Sequence, residues 1–260
     1  MGAQSDPTGD RPRGERGGFS ILAEGRFRFA CHPQVPCFNE CCADLRLVLT
    51  PYDILRMKNR LGMDSGEFLA KYTVPVREGG SPLPMLRLKM EESGRRPCPF
   101  VREEGCGIYP DRPGACRLYP LGRGASKAES KGADREFYFL VREDHCKGFE
   151  QSRQWTLKEW LEDQGAHTYN EMNRPWMEIV TSRSPRLKNL NPQSLGMFHM
   201  ASYDLDRFRK FIFTTRFLER FHIPEEEVEQ ARRDDVVLML MAMKWLSFAL
   251  LGEMSLKLRG

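Results

Sequence analysis

Eight cysteines are the residues of this 260-residue chain that are best suited to chemistry. They occur as two groups and one isolated residue: Cys31, Cys37, Cys41 and Cys42; Cys98, Cys106 and Cys116; and Cys146. Thiolate is a soft ligand that selects zinc, cuprous copper and iron–sulfur clusters. Zinc and the common iron–sulfur clusters each take four protein ligands. The sequence therefore predicts a metal centre, with zinc or an iron–sulfur cluster as its cofactor, and these eight thiols form two complete sites or one site with spare cysteines.

The adjacent residues Cys41 and Cys42 leave the assignment of ligands to sites open. In an extended backbone, neighbouring side chains point to opposite sides, so the two thiols would serve different sites. In a loop, both thiols could bind one ion. His145, next to Cys146, is open to a role as a ligand, as a hydrogen-bond donor or as an ordinary exposed residue.

A cytoplasmic location is expected, because the N-terminal segment is polar and lacks the apolar run of a secretory signal. Thiols stay reduced in the cytoplasm, where closely spaced cysteines indicate metal binding rather than disulfides. The most apolar stretch, Val236–Leu251, contains Lys244 and is shorter than the roughly 20 apolar residues of a membrane helix. We therefore expect no membrane span and interpret this stretch as a buried core helix.

The charged residues are nearly balanced, with 40 Lys and Arg against 36 Asp and Glu and a formal net charge of +4. Phosphate binding needs basic side chains that cluster on one face. We therefore do not expect nucleic acid as a partner, while a protein partner stays open.

The distribution of cysteines also predicts the domain organisation. We expect a disordered, Gly- and Pro-rich tail over residues 1–24, a cysteine-cluster metal-binding domain over residues 25–150 and a helical region over residues 151–260. The expected fold class is α+β, with a small cysteine-rich, metal-centred region of short strands packed against a mainly helical C-terminal region.

Capping residues and periodicity predict short elements in the cysteine-rich part. Thr50 and Pro51 begin a helix that Gly62 ends, and Asp64 caps a second, shorter helix. The other predicted elements are a strand over Leu86–Met90, a hairpin over Phe100–Tyr109, a strand over Phe137–Val141 and flexible loops at Gly122–Ala125 and Lys131–Ala133.

Three longer helices are predicted in the C-terminal part. Thr156 opens a helix to about Asn173, where Pro175 kinks or ends it. A helix beginning at Ser202 or Asp204 runs through Leu218 and ends before Pro224. The third begins at Glu225–Glu227 and runs to about Leu251, with its acidic residues at the N-terminus as the helix dipole favours.

Arginines surround the second cysteine group: Arg95, Arg96, Arg102, Arg112, Arg117 and Arg123. A four-thiolate zinc site carries two net negative charges, and thiolates form more easily beside cations. We expect Arg112 and Arg117, which flank Cys116, to hydrogen-bond to sulfur, and we do not expect this of Arg123. Arg95, Arg96 and Arg102 stay open between this role and that of ordinary solvated arginines.

Three sequence blocks carry a resemblance to a known family: Cys41-Cys42 with Leu49–Ile54, the long block Cys98–Pro120, and Cys146-Lys147-Gly148. They resemble the YkgJ-like cysteine-cluster family of zinc- or iron-chelating domains. The resemblance spans about residues 29–149, although the first block has wider gaps than the C-x2-C-x2-CC arrangement frequent in the family. It implies metal chelation without an assigned reaction.

Other functions stay open beside metal binding. A similar cysteine cluster occurs in bacterial flagellin lysine N-methylases, which makes methyl transfer conceivable, yet no glycine-rich strand–turn–helix for an adenosyl group is evident. A zinc-organised module that binds nucleic acid or protein is a second alternative, supported by the aromatic residues between the arginines. Reversible thiol oxidation is a third, although the chain has no C-x-x-C motif.

Overall fold

The computed structural model describes residues 18–22, 25–77, 81–126 and 135–259. The strands are β1 (Gly18–Ile21), β2 (Arg26–Arg28), β3 (Val48–Leu49), β4 (Thr73–Val76), β5 (Met85–Leu88), β6 (Val101–Arg102), β7 (Gly105–Cys106), β8 (Leu121–Ser126), β9 (Arg135–Arg142), β10 (Gln154–Thr156), β11 (Phe221–His222) and β12 (Lys257–Leu258). The α-helices are α1 (Pro51–Leu61), α2 (Ser65–Tyr72), α3 (Gly114–Leu118), α4 (Leu157–Asp163), α5 (Ala166–Val180), α6 (Pro192–Tyr203), α7 (Leu205–Thr214), α8 (Phe217–Arg220), α9 (Glu225–Arg233) and α10 (Asp235–Leu246). Helices and short antiparallel sheets in one chain confirm the α+β class.

The contacts divide the chain into two compact units that alternate along the sequence. The cysteine unit comprises the residues up to Arg46, Met90–Gly107 and Leu118–Gln164. The helical unit comprises Leu47–Lys89, Ile108–Arg117 and the residues from Gly165 onwards. Cys116 belongs to the helical unit, and the other seven cysteines belong to the cysteine unit.

The cysteine unit is built on a small aromatic core. Its strands form the antiparallel sheet β1-β9-β8 and the pairs β2-β10 and β6-β7. The buried core side chains are Phe27, Phe29, Leu121, Leu140, Trp155 and Trp160. The Trp155 indole donates to the Phe29 carbonyl over 2.8 Å, which fixes the chain just before the first cysteine. Edge-to-face ring contacts, such as Phe29 on Trp160 at 5.6 Å, give this core a defined geometry.

The helical unit packs α10 against α1, α5, α6, α7 and α9. Lys58 of α1 is almost fully buried, and its ammonium group lies 3.0 Å from the Asp235 carboxylate at the start of α10. Asp235 also pairs with Arg209 of α7. A buried cation needs such a partner, because an unpaired charge in the interior is costly. No helix among the described residues is both long enough and apolar enough to cross a membrane.

Local capping signals were reliable guides to where helices begin. Thr50 and Asp53 form a capping box at the start of α1, and Gly62 ends this helix in the left-handed conformation, as predicted. Asp64 caps α2 by accepting from the Glu67 N–H. The strand at β5, the β6–β7 hairpin and the strand at β9 are also confirmed, with end points shifted by a few residues.

Long helices were predicted less well, and each error has a local cause. The helix from Thr156 is interrupted at Gly165, which has a φ of 61°, and α5 then continues through Pro175. Buried Asn173 and Trp176 on either side of this proline pack α5 into the core, which offsets the lost hydrogen bond. The predicted helix from Glu225 is two helices, because the Asp234 carboxylate caps α10 by accepting from Val236 N–H at 2.7 Å.

Three further segments were predicted wrongly or not predicted. The helix capped by Asp204 ends at Thr214, since Thr215 is extended. Helix α6 was not predicted, although Asn191 and Pro192 supply a cap and a first-turn proline. The proposed flexible loop at Gly122–Ala125 is part of β8, whereas Lys131–Ala133 lies outside the described residues.

The expected disordered tail over residues 1–24 lies mostly outside the described residues. Within it, Gly18–Ile21 forms β1, which pairs antiparallel with β9.

Candidate metal centre

Four cysteines from two segments that are far apart in the sequence line one small cavity in the cysteine unit. These are Cys31, Cys37, Cys41 and Cys146. The remaining wall consists of Phe29, Ala30, Val35, Tyr119, His145 and Gly148. The cavity volume is about 10 Å³, which is the space of a single water molecule or ion. All eight cysteines of the chain are free thiols.

The backbone brings these cysteines together through short hydrogen-bonded turns. The Ala30 N–H donates to the Gly148 carbonyl over 3.1 Å, so the chain before Cys31 runs beside the chain after Cys146. A further turn, in which the Glu40 N–H donates to the Cys37 carbonyl, leads into the 3₁₀ turn Glu40–Cys42. Cys146 itself closes a turn after β9, because its N–H donates to the Glu143 carbonyl over 2.9 Å.

Two of the cavity thiols accept hydrogen bonds from backbone N–H groups. The Lys147 N–H donates to the Cys37 sulfur over 3.1 Å. The Gly148 N–H donates to the Cys146 sulfur. Such donors favour the thiolate over the thiol, and thiolate is the form that binds a metal. The donor set therefore fits a soft metal ion.

The cavity opposes ionisation of three of its thiols in the absence of a cation. Burial raises the pKa of Cys31 to about 12, and the neighbouring thiols add to this. A hydrogen bond with Cys42 raises the pKa of Cys41, and burial and the Glu143 carboxylate raise it further. Burial also raises the pKa of Cys146, despite its hydrogen-bond donors. Cys31, Cys41 and Cys146 are consequently protonated at neutral pH unless a metal supplies positive charge.

Buried polar atoms without hydrogen bonds lie beside the same cavity: the Tyr119 hydroxyl, Glu143 Oε2 and His145 Nε2. His145 Nε2 is 3.4 Å from Glu143 Oε2, but neither atom makes a well-aligned hydrogen bond. The Tyr119 hydroxyl neighbours the Cys146 thiol and likewise lacks normal hydrogen-bond geometry. Burial is the main cause that raises the pKa of Tyr119, so its hydroxyl keeps its proton and can donate it. Polar groups left without partners are uncommon in protein interiors and indicate a place where a further group binds.

In the described part of the chain, no three His, Cys, Asp or Glu side chains stand in an arrangement that could hold a metal ion as they lie. The thiols of Cys41 and Cys42 hydrogen-bond to each other instead of pointing to a common centre. Ligation would require the cavity thiols to lose their protons and to rotate about their side-chain bonds. The ligand role of all eight cysteines therefore stays a prediction.

Three other cysteines form a second group in the cysteine unit. Cys98 donates its N–H to the Cys42 carbonyl over 2.8 Å. Its sulfur accepts from the N–H groups of Phe100 and Val101. Val101 pairs with Cys106 across the β6–β7 hairpin, and the Cys106 thiol is close enough to influence the ionisation of Cys98. Burial raises the pKa of Cys98, while the charge of Arg102 lowers it.

Cys116 lies in α3 of the helical unit, where Asp53 anchors the start of this helix. The Gly114 N–H donates to the Asp53 carboxylate over 2.8 Å. The neighbouring arginines make contacts that the sequence did not predict. Arg112 donates to the Tyr109 carbonyl and lies 3.7 Å from the centre of the Tyr109 ring. Arg117 donates to the Pro110 carbonyl and lies over the ring of Tyr169 at 4.3 Å.

The arginines of the cysteine unit also have defined partners. Arg95 pairs with Glu40, and Arg96 lies 3.2 Å from Asp44. Arg102 donates to the Val101 carbonyl over 2.7 Å and contributes the charge that favours thiolate at Cys98.

Sequence reasoning assigned neither Glu143 nor Tyr119 a place beside the metal centre. The position of Glu143 three residues before Cys146 is the signal that could have found it, because this spacing is that of a turn closed by the two residues. Tyr119 had no comparable signal, since only the folded chain brings it beside Cys146.

Residues 30–147 match a protein-family model, CxxCxxCC, whose description is "Putative zinc- or iron-chelating domain". The matched segment contains all eight cysteines. It agrees with the family that the cysteine blocks resemble, and it supports metal binding by this part of the chain. The searches of curated proteins and of solved structures gave no match.

Proposed function

Because residues 30–147 match the family model of a zinc- or iron-chelating domain, we propose that the protein binds a metal ion through Cys31, Cys37, Cys41 and Cys146. The observation that carries the proposal is the convergence of these four thiols on one cavity. Four thiolates make up the complete ligand set of a structural zinc site.

The size of the cavity favours one ion over a multinuclear cluster. Its volume of about 10 Å³ accommodates a single ion, whereas an iron–sulfur cluster adds several iron and sulfide atoms. The apolar part of the wall, which includes Phe29 and Val35, limits access of water to the bound ion. The proposed occupant is therefore one zinc or iron ion, held in the cytoplasm where the thiols stay reduced.

The bound ion would tie together segments that are far apart in sequence. Cys31, Cys37 and Cys41 belong to one loop, and Cys146 follows β9 more than a hundred residues later. Without metal, these segments are held together by backbone contacts such as the Ala30–Gly148 hydrogen bond. Metal binding and folding of the cysteine unit would therefore be coupled.

Metal analysis of protein purified without oxygen tests the proposal. The unaltered chain should contain zinc or iron, and the double variant Cys37→Ser/Cys146→Ser should lose the ion of the cavity. Val35→Ala is the matched control, because it trims the same wall without removing a donor, and it should keep its metal. Absence of metal from the unaltered chain would refute the proposal. Broad visible absorption by the purified protein would contradict a single ion and indicate an iron–sulfur cluster instead.

A further inference from the structure

We propose that Cys42, Cys98 and Cys106 form a second metal centre, separate from the cavity, and that the Cys41–Cys42 peptide bond links the two centres. This inference extends the proposed function, because it requires that the thiols of this domain bind metal. The geometry around these three cysteines carries it.

The different surroundings of the two adjacent cysteines are the first step. They lie in the 3₁₀ turn Glu40–Cys42, and their thiols hydrogen-bond to each other. Cys41 lines the cavity, and Cys42 is not part of its wall. The turn therefore places Cys41 at the cavity and Cys42 outside it, which is the arrangement that two adjacent centres need.

The second step is the close approach of the segment after Cys42 to the segment before Cys98. Ala43 and Pro97 form an antiparallel bridge. The Cys98 N–H bonds to the Cys42 carbonyl on one side of this bridge, and the Asp44 N–H bonds to the Arg96 carbonyl over 2.9 Å on the other. Cys42 and Cys98 are thus held side by side by backbone hydrogen bonds, independently of any side chain.

The third step adds Cys106 through a tight turn and a hairpin. The Val101 N–H donates to the Cys98 carbonyl over 3.1 Å, and Val101 pairs with Cys106 in the β6–β7 ladder. The turn also directs the N–H groups of Phe100 and Val101 at the Cys98 sulfur. Two backbone N–H donors therefore orient the Cys98 sulfur, as the hydrogen-bonding groups around a metal ligand do.

The loop of the first cysteine group is clamped onto this hairpin. The Asn39 amide donates to the Arg102 and Glu103 carbonyls over 2.9 and 3.2 Å. The Phe38 ring packs on Gly105, where a Cβ would come within 3.2 Å of the ring. Gly105 has a φ of 124°, so a side chain there would also be strained. The β6–β7 hairpin therefore packs against the loop that carries Cys42, and a side chain at Gly105 would disturb this contact.

Backbone strain is concentrated at the same place. Asn39, Asp44 and Arg96 have φ values of 68°, 52° and 56°, and they are the non-glycine residues with positive φ in the described part of the chain. Non-glycine residues adopt this conformation where the surrounding structure holds them in it. Asp44 and Arg96 lie in the two paired segments, two residues from Cys42 and Cys98, and Asn39 lies three residues before Cys42.

Three thiolates leave one position of a tetrahedral zinc ion for a fourth protein ligand or for solvent. The proposal itself depends only on the three thiols of the cysteine unit.

Zinc stoichiometry in the full chain tests the inference. The oxygen-free chain is loaded with Zn²⁺, desalted and measured by native mass spectrometry. It should hold two zinc ions, and the matched double variants Cys37→Ser/Cys146→Ser and Cys98→Ser/Cys106→Ser should each hold one. The single variants Cys41→Ser and Cys42→Ser should weaken different ions. A Cys98→Ser/Cys106→Ser variant that keeps the full zinc content would overturn the second centre.

A second measurement uses the unaltered chain and does not depend on how the variants fold. Cysteines are alkylated at less than one equivalent of Zn²⁺ and located by mass spectrometry. Cys41 should be protected together with Cys31, Cys37 and Cys146, and Cys42 together with Cys98 and Cys106. Protection of Cys41 and Cys42 as one group, with a single ion bound, would refute the second centre and leave the proposed function standing. A chain that binds no Zn²⁺ and contains no metal when purified would refute both.

Discussion

The Lys147 N–H donates a hydrogen bond to the Cys37 sulfur over 3.1 Å and so joins two segments that lie 110 residues apart. The next residue, Gly148, directs its own N–H at the Cys146 sulfur. Residues 146–148 therefore supply one candidate ligand and the backbone donors for two. This compact arrangement makes the contribution of single backbone groups measurable.

Replacing Lys147 by proline removes the N–H that bonds to Cys37, whereas replacing it by alanine keeps this N–H. A hydrogen bond to a charged acceptor contributes about 1.5–3 kcal/mol, so Lys147→Pro should weaken Zn²⁺ binding about 10–150-fold. Lys147→Ala should bind as the parent does, because the Lys147–Glu150 ion pair that it loses is exposed. Competition with a chromophoric chelator measures both affinities. Equal affinity for the proline variant would show that this hydrogen bond does not support ligation.

Metal binding should release protons. Cys31, Cys41 and Cys146 have pKa values raised above those of ordinary thiols, so they are protonated at neutral pH before the metal binds. Each thiol that becomes a ligand releases about one proton, and the affinity for Zn²⁺ should therefore increase as the pH rises. Titration calorimetry in buffers of different ionisation enthalpy counts these protons. An affinity that stays constant between pH 6 and 8 would contradict the ligand role of these thiols.

Gly148 should tolerate no side chain. A Cβ at this position would lie 2.5 Å from the Phe29 ring and 3.0 Å from the Ala30 carbonyl oxygen, both of which belong to the cavity wall. We expect Gly148→Ala to cost about 1–3 kcal/mol of unfolding free energy and to weaken metal binding. Gly196→Ala in α6 is the matched control, because a Cβ there meets nothing within 4 Å and alanine favours the helix. Urea unfolding that ranks the two variants equally would count against this packing argument.

Replacing Asp53 by asparagine, which has the same shape but no charge, should destabilise the helical unit. The two oxygens of the Asp53 carboxylate accept from the Thr50 N–H at 2.9 Å and the Gly114 N–H at 2.8 Å, so this side chain joins the start of α1 to the start of α3. Asparagine keeps only one acceptor, and we expect Asp53→Asn to cost about 1–3 kcal/mol in urea unfolding. Asp64→Asn is the control, since it caps α2 with one oxygen and asparagine caps equally well. A loss at Asp64 as large as that at Asp53 would refute the reasoning.

The sequence predicted features that depend on neighbouring residues and missed those that depend on distant ones. The cap at Thr50 could be identified because its partner, the Asp53 N–H, lies within one turn. The place of Gly122 in a strand could not, since it follows from the Phe139 ring that covers it, 2.4 Å from where a Cβ would lie. Flexible glycine and covered glycine have the same sequence signature.

The same distinction holds for the candidate metal centre. Residue type alone identified the cysteines as candidate ligands, because thiolate chemistry does not depend on the fold. Which thiols share a cavity follows from contacts such as Ala30 with Gly148, and these link segments that sequence spacing leaves unrelated. Cys41 and Cys42 show the limit most clearly, since only the fold decides that Cys41 lines the cavity and Cys42 does not.

The helical unit should lose stability in mild acid through His199 of α6. Burial lowers the pKa of His199 below the value of 6.5 that it has in the unfolded chain, although the charge of Asp204 opposes the shift. Between these two pKa values the unfolded chain binds a proton that the folded chain does not. The free energy of unfolding should therefore fall as the pH decreases through about 6.5 and level off below the folded pKa.

Comparing the pH-dependent change in unfolding free energy between a variant and the parent separates the effect of His199 from that of the thiols. His199→Gln should remove part of the stability loss that the parent shows in urea unfolding between pH 7.5 and 5, because glutamine does not titrate. The exposed His222 of β11 provides the matched control, and His222→Gln should keep the full loss. If His199→Gln and the parent lose equal stability over this range, the half-buried His199 ring does not carry the acid sensitivity, and groups outside α6 must be responsible.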